Sequence, residues 1–316
     1  MVDDLTIKLS VIIPVYNVEK FLKAGVDSLL QQINRNVELI VVDDGSTDDS
    51  GKIMRSITYN DKLQRIKYFR KVNGGLSAAR NYGLKYASGE YVFYFDSDDT
   101  VDEHFINIIQ NAIDAEKADM YLFNHNLIDE QSVTLQSDVA KLPPSGLYEK
   151  AEILDRYLND DLSSYAWQFV IRKSIAEKII FPENRLFEDI ATFYNFLLHS
   201  DTVEVINHGL YNYRIRSGSI LNSSISEQWI DDFIWATESA YKDIVKIDVS
   251  SPNKWYVNKL YEVARAIHRR GLQQTYKFQY QGSLKKILQL KRYVIKALGL
   301  KKTAILMYMM IKGLRE

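Results

Sequence analysis

The sequence has no cysteine, which excludes disulfides, thiolate metal centres and a cysteine nucleophile. It also has no uninterrupted run of about 18 apolar residues, so no helix that crosses a membrane is expected. The opening MVDDLTIKLSVIIPVYN lacks the basic stretch and long apolar core of a secretory leader. A cytoplasmic protein is the expectation. What is there is a chain of 316 residues, 46% hydrophobic and 26% charged. That is the composition of a globular protein large enough for one large domain or two moderate ones.

The formal net charge of −1 conceals an asymmetry. From Lys254 onward fifteen Lys and Arg face only Glu262 and Glu316, an excess of thirteen positive charges. The first 253 residues carry 25 basic and 39 acidic groups. A split of this size points to an anionic partner for the tail.

Residues 8–13 (KLSVII) and 37–42 (VELIVV) are short, β-branched apolar runs that read as buried parallel strands. Between them Phe21, Leu22, Val26, Leu29 and Leu30 fall at helical spacing. The alternation continues with a helix from about Thr47, a strand RIKYF, a helix GLSAARNYGLKYA, a strand YVFYF, a helix DEHFINIIQNAIDAEKA and a strand DMYLFNH. This pattern predicts an α/β fold with an open, mostly parallel sheet and helices on both faces. After the LPPSG break at 142–146, a helix near 149–159, a strand SYAWQFVI, a helix from Asp189 and short strands near 203–206 and 210–215 are expected. From about Glu227 the chain reads as helical, with interruptions at Pro252, Gly271 and Gly299.

Ligands of an open parallel sheet bind beyond the carboxyl ends of its strands. The loops PVYN, DDGSTDDS and DSDDTVD would gather there. Asp96, Asp98, Asp99 and Asp102 fall within seven positions, and so many like charges need either a cation or water between them. Asp96 and Asp98, flanking Ser97, suit Mg²⁺ or Mn²⁺, which take one or two carboxylates plus substrate phosphates. Asp102 reads equally as a helix cap or first-turn acid. Asp44, at a strand end, is placed to accept a hydrogen bond from a uracil or thymine ring N–H. The pair Gly74-Gly75 opens a helix, where phosphate is attracted; such pairs are also common in plain turns.

The segments SVIIPVYN, ELIVVDDGSTDDS, NGGLSAARNYG and YVFYFDSDD, in this order over about 90 residues, resemble the family 2 glycosyltransferases with the nucleotide-diphospho-sugar transferase (GT-A) fold. The resemblance implies a catalytic domain over 1–225, with a nucleotide-sugar half at 1–125 and an acceptor half at 126–225, followed by a basic helical region at 226–316. FPENRLFED resembles the family's later acidic pair. On this resemblance Asp189 is the base, Asp98 the principal metal ligand, and Asp96 lies near the donor ribose and metal. Pro14, Tyr16, Asn17, Asp44 and Gly75 would line the nucleotide-sugar site, and Arg80 the donor sugar or diphosphate. Glu188 either shares the site or merely starts the next helix. YRIRSGSI resembles a segment of bacterial polysaccharide enzymes, which makes Arg214, Arg216 and Ser219 candidate diphosphate contacts. Trp167 reads either as a ring for an acceptor sugar or as core.

The implied reaction is inverting and metal-dependent, with a UDP-sugar as favoured donor and a hydroxyl of a glycan or lipid-linked glycan as acceptor, in cell-surface polysaccharide synthesis. In the tail, Leu284, Ile287, Leu288, Val294, Ile295 and Leu298 form an apolar stripe with Lys285, Lys286, Arg292 and Lys296 off it. Such a helix reads as binding an anionic membrane surface, which would place the protein peripherally on the inner face of the cell membrane. Packing on the catalytic domain or in a homodimer is the alternative. No nucleic-acid-binding motif is visible. FDSDDT also fits the hhDxDxT pattern of haloacid-dehalogenase-like phosphatases, but that pattern usually follows the first strand of its fold. A sugar-nucleotide-binding protein without turnover is the remaining alternative.

Overall fold

A computed structural model describes residues 6–216, 226–247 and 252–270. The first half alternates as the sequence predicts: β1 (Leu9–Val15), α1 (Glu19–Leu30), β2 (Val37–Asp43), α2 (Ser50–Tyr59), β3 (Ile66–Arg70), α3 (Leu76–Leu84) and β4 (Tyr91–Tyr94). Every residue of β1, β2 and β4 is buried, as befits strands covered on both faces. β1 pairs in parallel with β2 (Leu9 opposite Val37) and with β4 (Leu9 opposite Tyr91). The odd positions Leu9, Val11, Ile13 and Val15 face one core with α1 and α4 (Phe105–Asp114), while Ile12 faces the other core with α3.

The second half is mixed. β5 (Thr100–Val101), β6 (Met120–Ile128), β7 (Thr134–Gln136), β8 (Gly146–Glu149), β9 (Phe169–Arg172) and β10 (Thr202–Arg214) join the same sheet, in the order β3-β2-β1-β4-β9-β6-β10-β5. β9 runs antiparallel to both β4 and β6, and β10 runs parallel to β6. One sheet therefore passes without a break from β1 at Leu9 to β10 at Arg214, across the expected division at 125. Helices α5 (Lys150–Leu158), α6 (Lys173–Ala176) and α7 (Glu188–His199) cover the α3 face, and α8 (Glu227–Ile244) and α9 (Pro252–Arg270) extend that layer.

Three expectations shift. SYAWQFVI is not one strand: residues 166–168 form a 3-10 turn and only Phe169–Arg172 is β. The two short strands near 203–206 and 210–215 are one strand with register shifts between Ile206 and Tyr211. The helix expected from about Thr47 starts at Ser50, because Asp48 Oδ1 accepts the Ser50 N–H at 3.0 Å and holds a turn there. The tail from 271 onward, with its apolar and basic stripes, lies outside the described residues.

Candidate active site

The ends of β1, β2 and β4 fall on one edge of the sheet, and backbone bonds tie them together. Asp44 N–H donates to Val15 O at 2.8 Å, and Phe95 N–H to Ile12 O at 2.9 Å. Pro14 is buried within β1, opposite Val42. Tyr16 projects from the strand end, 49% exposed. Asn17 adopts a left-handed φ of 51°. Its Oδ1 accepts the Thr47 N–H at 2.8 Å, which laces the first loop to the second.

Asp44 is buried and fully engaged. It accepts from Lys71 Nζ at 2.5 Å, from Gly74 N–H at 3.0 Å and from Gly75 N–H at 2.7 Å. Gly75 caps α3 with φ 86° and ψ 170°, a conformation nearly confined to glycine. A Cβ built there meets nothing within 4 Å, so the need is conformational rather than steric. Neighbouring Asp43 anchors the loop instead, accepting from Ser46 N–H at 2.8 Å and Tyr68 OH at 2.9 Å.

The DSDD loop sits against α1 because residue 25 has no side chain: a Cβ on Gly25 would fall 2.7 Å from Asp99 O and 2.9 Å from Ser97 O. Asp99 is a buried structural acid. It accepts from Tyr211 OH and Arg214 N–H, both at 2.6 Å. Burial, then the charges of Asp98 and Asp96, push its pKa well above the usual carboxylate range. Asp98 stays partly open and accepts from Arg216 Nε at 2.6 Å. Asp102, read as a cap, instead accepts the His104 N–H at 2.9 Å one turn before α4 begins.

The centre of the site is Arg80, on α3 and 1% exposed. Its Nη2 donates to Asp96 Oδ1 at 2.9 Å, and its Nη1 to Glu188 Oε1 at 2.9 Å and Asp189 Oδ1 at 3.3 Å. One guanidinium thus joins the acid after β4 to the acidic pair that opens α7. Burial disfavours the cation, but Asp96, Asp189 and Glu188 outweigh it and raise the Arg80 pKa. Three carboxylates share a single positive charge, and the deficit shows on the two aspartates. Asp189 is raised well above the carboxylate range by burial and by the charge of Glu188, against the pull of Arg80. Asp96 is raised by burial and by Asp98, again against Arg80.

One expected contact is corrected, and for Trp167 the core reading of the two holds. Arg214 is 2% exposed and spent on the fold: Nε donates to Asp98 O at 2.7 Å, and Nη1 to Asp129 O at 2.8 Å and Ser132 Oγ at 3.0 Å. It holds the DSDD loop and is not free to take a diphosphate. Trp167 is 2% exposed and belongs to the core, stacked at 4.4 Å on Tyr211 and at 4.6 Å on Tyr165. Ser219 lies outside the described residues. Lys71, which shares Asp44 with the glycine pair, and Tyr211, which joins Asp99 to the aromatic core, are site residues that no motif marked.

No group of three or more acidic or histidine side chains forms a metal cage among the described residues. The donor set still suits a cation of the Mg²⁺ type, which takes one or two carboxylates and completes its shell with water and phosphate. Asp96 and Asp98 would supply those hard oxygens from one loop, close enough for the charge of Asp98 to raise the pKa of Asp96.

Parallel strands ending at an acidic edge, faced by a second acidic pair that shares Arg80 with it, form a site of the kind a transferase of activated sugars requires. Residues 10–179 match the family described as Glycosyl transferase family 2, and the chain belongs to that family; it is a glycosyltransferase. GlyG, a glycosyltransferase of Streptococcus pneumoniae, is 31% identical over 286 residues, 86% of this chain and 92% of GlyG. GgaB of Bacillus subtilis, a minor teichoic acid biosynthesis protein, is 29% identical over 75% of this chain, which spans 26% of its length. The crystal structure of Staphylococcus aureus TarS 1–349 in complex with UDP-GlcNAc shares the fold, with TM-score 0.66 and 22% identity over 98% of this chain and 90% of that one. The phosphatase alternative is set aside by the family match, and by the three strand–helix units that precede β4 and the DSDD loop.

Proposed function

We propose that the chain transfers a sugar from a UDP-sugar to a hydroxyl of a glycan or lipid-linked glycan during cell-surface polysaccharide synthesis, with inversion at the anomeric carbon. The observation that carries this reading is Arg80, which holds Asp96 and Asp189 on one guanidinium at 2.9 and 3.3 Å. The acid at the donor end and the acid proposed as base are thereby fixed relative to each other. UDP-GlcNAc bound by TarS and the teichoic acid role in the name of GgaB support the donor and acceptor classes.

In this reaction Asp189 takes the proton of the acceptor hydroxyl. The hydroxyl oxygen forms its bond to the anomeric carbon on the face opposite the diphosphate, and the carbon–oxygen bond to the diphosphate breaks with its electron pair leaving on UDP. The transition state has oxocarbenium character. The raised affinity of Asp189 for a proton suits it to this step, since a base is most effective when its pKa approaches the working pH. Asp98, with Asp96, would hold Mn²⁺ or Mg²⁺, whose charge offsets that of the diphosphate. Tyr16 and the Asn17 turn offer the open wall for the nucleotide. Asp44, with the Gly74 and Gly75 amides on it, would form its floor, and the base ring would displace one of its donors to reach an Asp44 oxygen. Arg216, on Asp98 in this structure, would move to the diphosphate.

The membrane reading of the tail rests on sequence alone; no described helix is long and apolar enough to cross a bilayer. Association with the inner membrane face would bring the site to a lipid-linked acceptor. A homodimer through the same helices is the competing outcome, separated from it by vesicle flotation and by light scattering.

The test is calorimetry with UDP-, dTDP- and GDP-sugars, with and without Mn²⁺, on the intact chain and on Asp98→Ala. Metal-dependent binding of a UDP-sugar, lost in the variant, is expected. Indifference to every sugar nucleotide would overturn the reading.

A further inference from the structure

The residues that match the family end at 179, yet the acidic pair is braced by a helix well beyond that point. Asp232, on α8, is 2% exposed. Its Oδ2 accepts the Leu186 N–H at 3.0 Å and its Oδ1 accepts from Arg185 Nη1 at 2.8 Å. The Arg185 guanidinium in turn lies 4.9 Å over the ring of Trp235. One residue further on, Phe187 takes φ 61° and ψ 32° as the N-cap of α7. A bulky side chain rarely adopts this left-handed conformation, and such strain persists only where the surroundings over-determine it. Here they do. The Phe187 ring packs edge-on against Trp229 and Phe233, each at 4.9 Å, and those two rings stack at 5.4 Å. Trp229, Asp232 and Phe233 stand three and four residues apart, on one face of α8. The next residues after Phe187 are Glu188 and Asp189, both on Arg80.

Asp232 is thus the polar member of an otherwise aromatic clamp on the three residues that lead into α7. A buried carboxylate on a backbone N–H fixes that amide in place more firmly than ring packing alone, because leaving either group unpaired is costly. We propose that Asp232 is a positioning residue for glycosyl transfer: by pinning the Leu186 backbone it holds Phe187 in its left-handed turn and sets the register at which α7 presents Asp189 to Arg80. The inference rests on the reading of Asp189 as the base. It gives α8, a C-terminal helix, a part in the chemistry without contact with substrate.

The test uses the full-length chain and the variants Asp232→Ala, Asp232→Asn, Arg185→Ala and Asp189→Asn. UDP affinity is read by calorimetry, turnover by UDP release from UDP-GlcNAc or whichever UDP-sugar binds, and local order by amide exchange over residues 186–191. Asp232→Ala is expected to lower kcat by about 10- to 100-fold, the scale of a small misplacement of a catalytic group, with UDP affinity unchanged and exchange at 186–191 accelerated. Asp232→Asn keeps an oxygen for the Leu186 N–H and restores most of kcat and of the protection. Arg185→Ala, which leaves that bond in place, loses less than Asp232→Ala. Unaltered exchange at 186–191 in Asp232→Ala overturns the proposal with or without turnover. So does a loss that falls equally on UDP affinity and melting temperature, or one that Asn does not rescue. Full turnover by Asp189→Asn would instead remove the base reading and leave the clamp as a feature of the fold.

Discussion

Two acidic clusters stand on the same edge of the sheet and are built in opposite ways. After β2, Asp43 and Asp44 are surrounded by donors: backbone N–H groups of residues 46, 74 and 75, the Tyr68 hydroxyl and Lys71. After β4 and before α7, Asp96, Glu188 and Asp189 lean on one guanidinium. The first cluster is charge put to use as scaffold. The second holds more negative charge than its partner neutralises, and both Asp96 and Asp189 gain affinity for protons as a result. An arrangement that is unbalanced without substrate is suited to accept a proton and to meet a cation. The lesson is that the number of donors per carboxylate, more than the number of carboxylates, separates the cluster proposed to react from the one that is braced.

Substitutions can break this contrast. The largest effect is expected for Asp189→Asn, which keeps the shape but not the proton acceptor: turnover should fall about 10²- to 10⁴-fold, with UDP binding intact by calorimetry. Arg80→Met comes next. It leaves three carboxylates facing one another without their cation, and breaking a buried pair in this way costs about 3–5 kcal/mol, to be read in the midpoint of denaturant unfolding. Asp98→Asn should abolish the Mn²⁺-dependent part of UDP affinity while melting temperature is kept, because its side chain is partly open and its ion pair is with the solvent-reachable Arg216.

The pH profile sharpens the contrast further. Asp189 must be ionised to act, and its pKa is raised by burial and by Glu188. Activity should therefore fall on acidification at a pH above the ordinary aspartate value of 3.8. Glu188→Gln removes a negative neighbour, so the acid limb of kcat should move to lower pH. The smallest effect belongs to the scaffold side. Gly75→Ala meets no atom but strains the backbone at φ 86°, at about 1 kcal/mol or somewhat more, a loss of a few degrees in melting temperature.

The strand ends were legible in sequence because β1, β2 and β4 are buried on both faces and so read as unbroken apolar runs, each ending in a polar loop. The acidic pair was legible only through family resemblance, since nothing in FPENRLFED announces that Arg80, more than a hundred residues earlier, will lie against it. Arg214 and Trp167 illustrate the limit of reading chemistry from residue type. An arginine and a tryptophan near a site invite a ligand, but here the first is consumed by backbone carbonyls and the second by tyrosine rings. The turn at 166–168 was hidden because its residues suit a strand, yet only Phe169–Arg172 is β. Asp232 gave no signal at all, since an acid beside Asp231 on an amphipathic helix looks solvated.

The place of β9 bears on how the chain acquires its shape. The four strands β3-β2-β1-β4 are complete by residue 94, but the strand that closes the open side of β4 is supplied only by residues 169–172. During synthesis the buried apolar edge YVFY must wait for some 75 further residues before it is covered. An emerging chain halted in that interval would carry an unpaired sheet edge, the kind that recruits strands from other molecules. Truncations ending before Phe169 should accordingly accumulate as aggregates, and those ending beyond Arg172 should do so less.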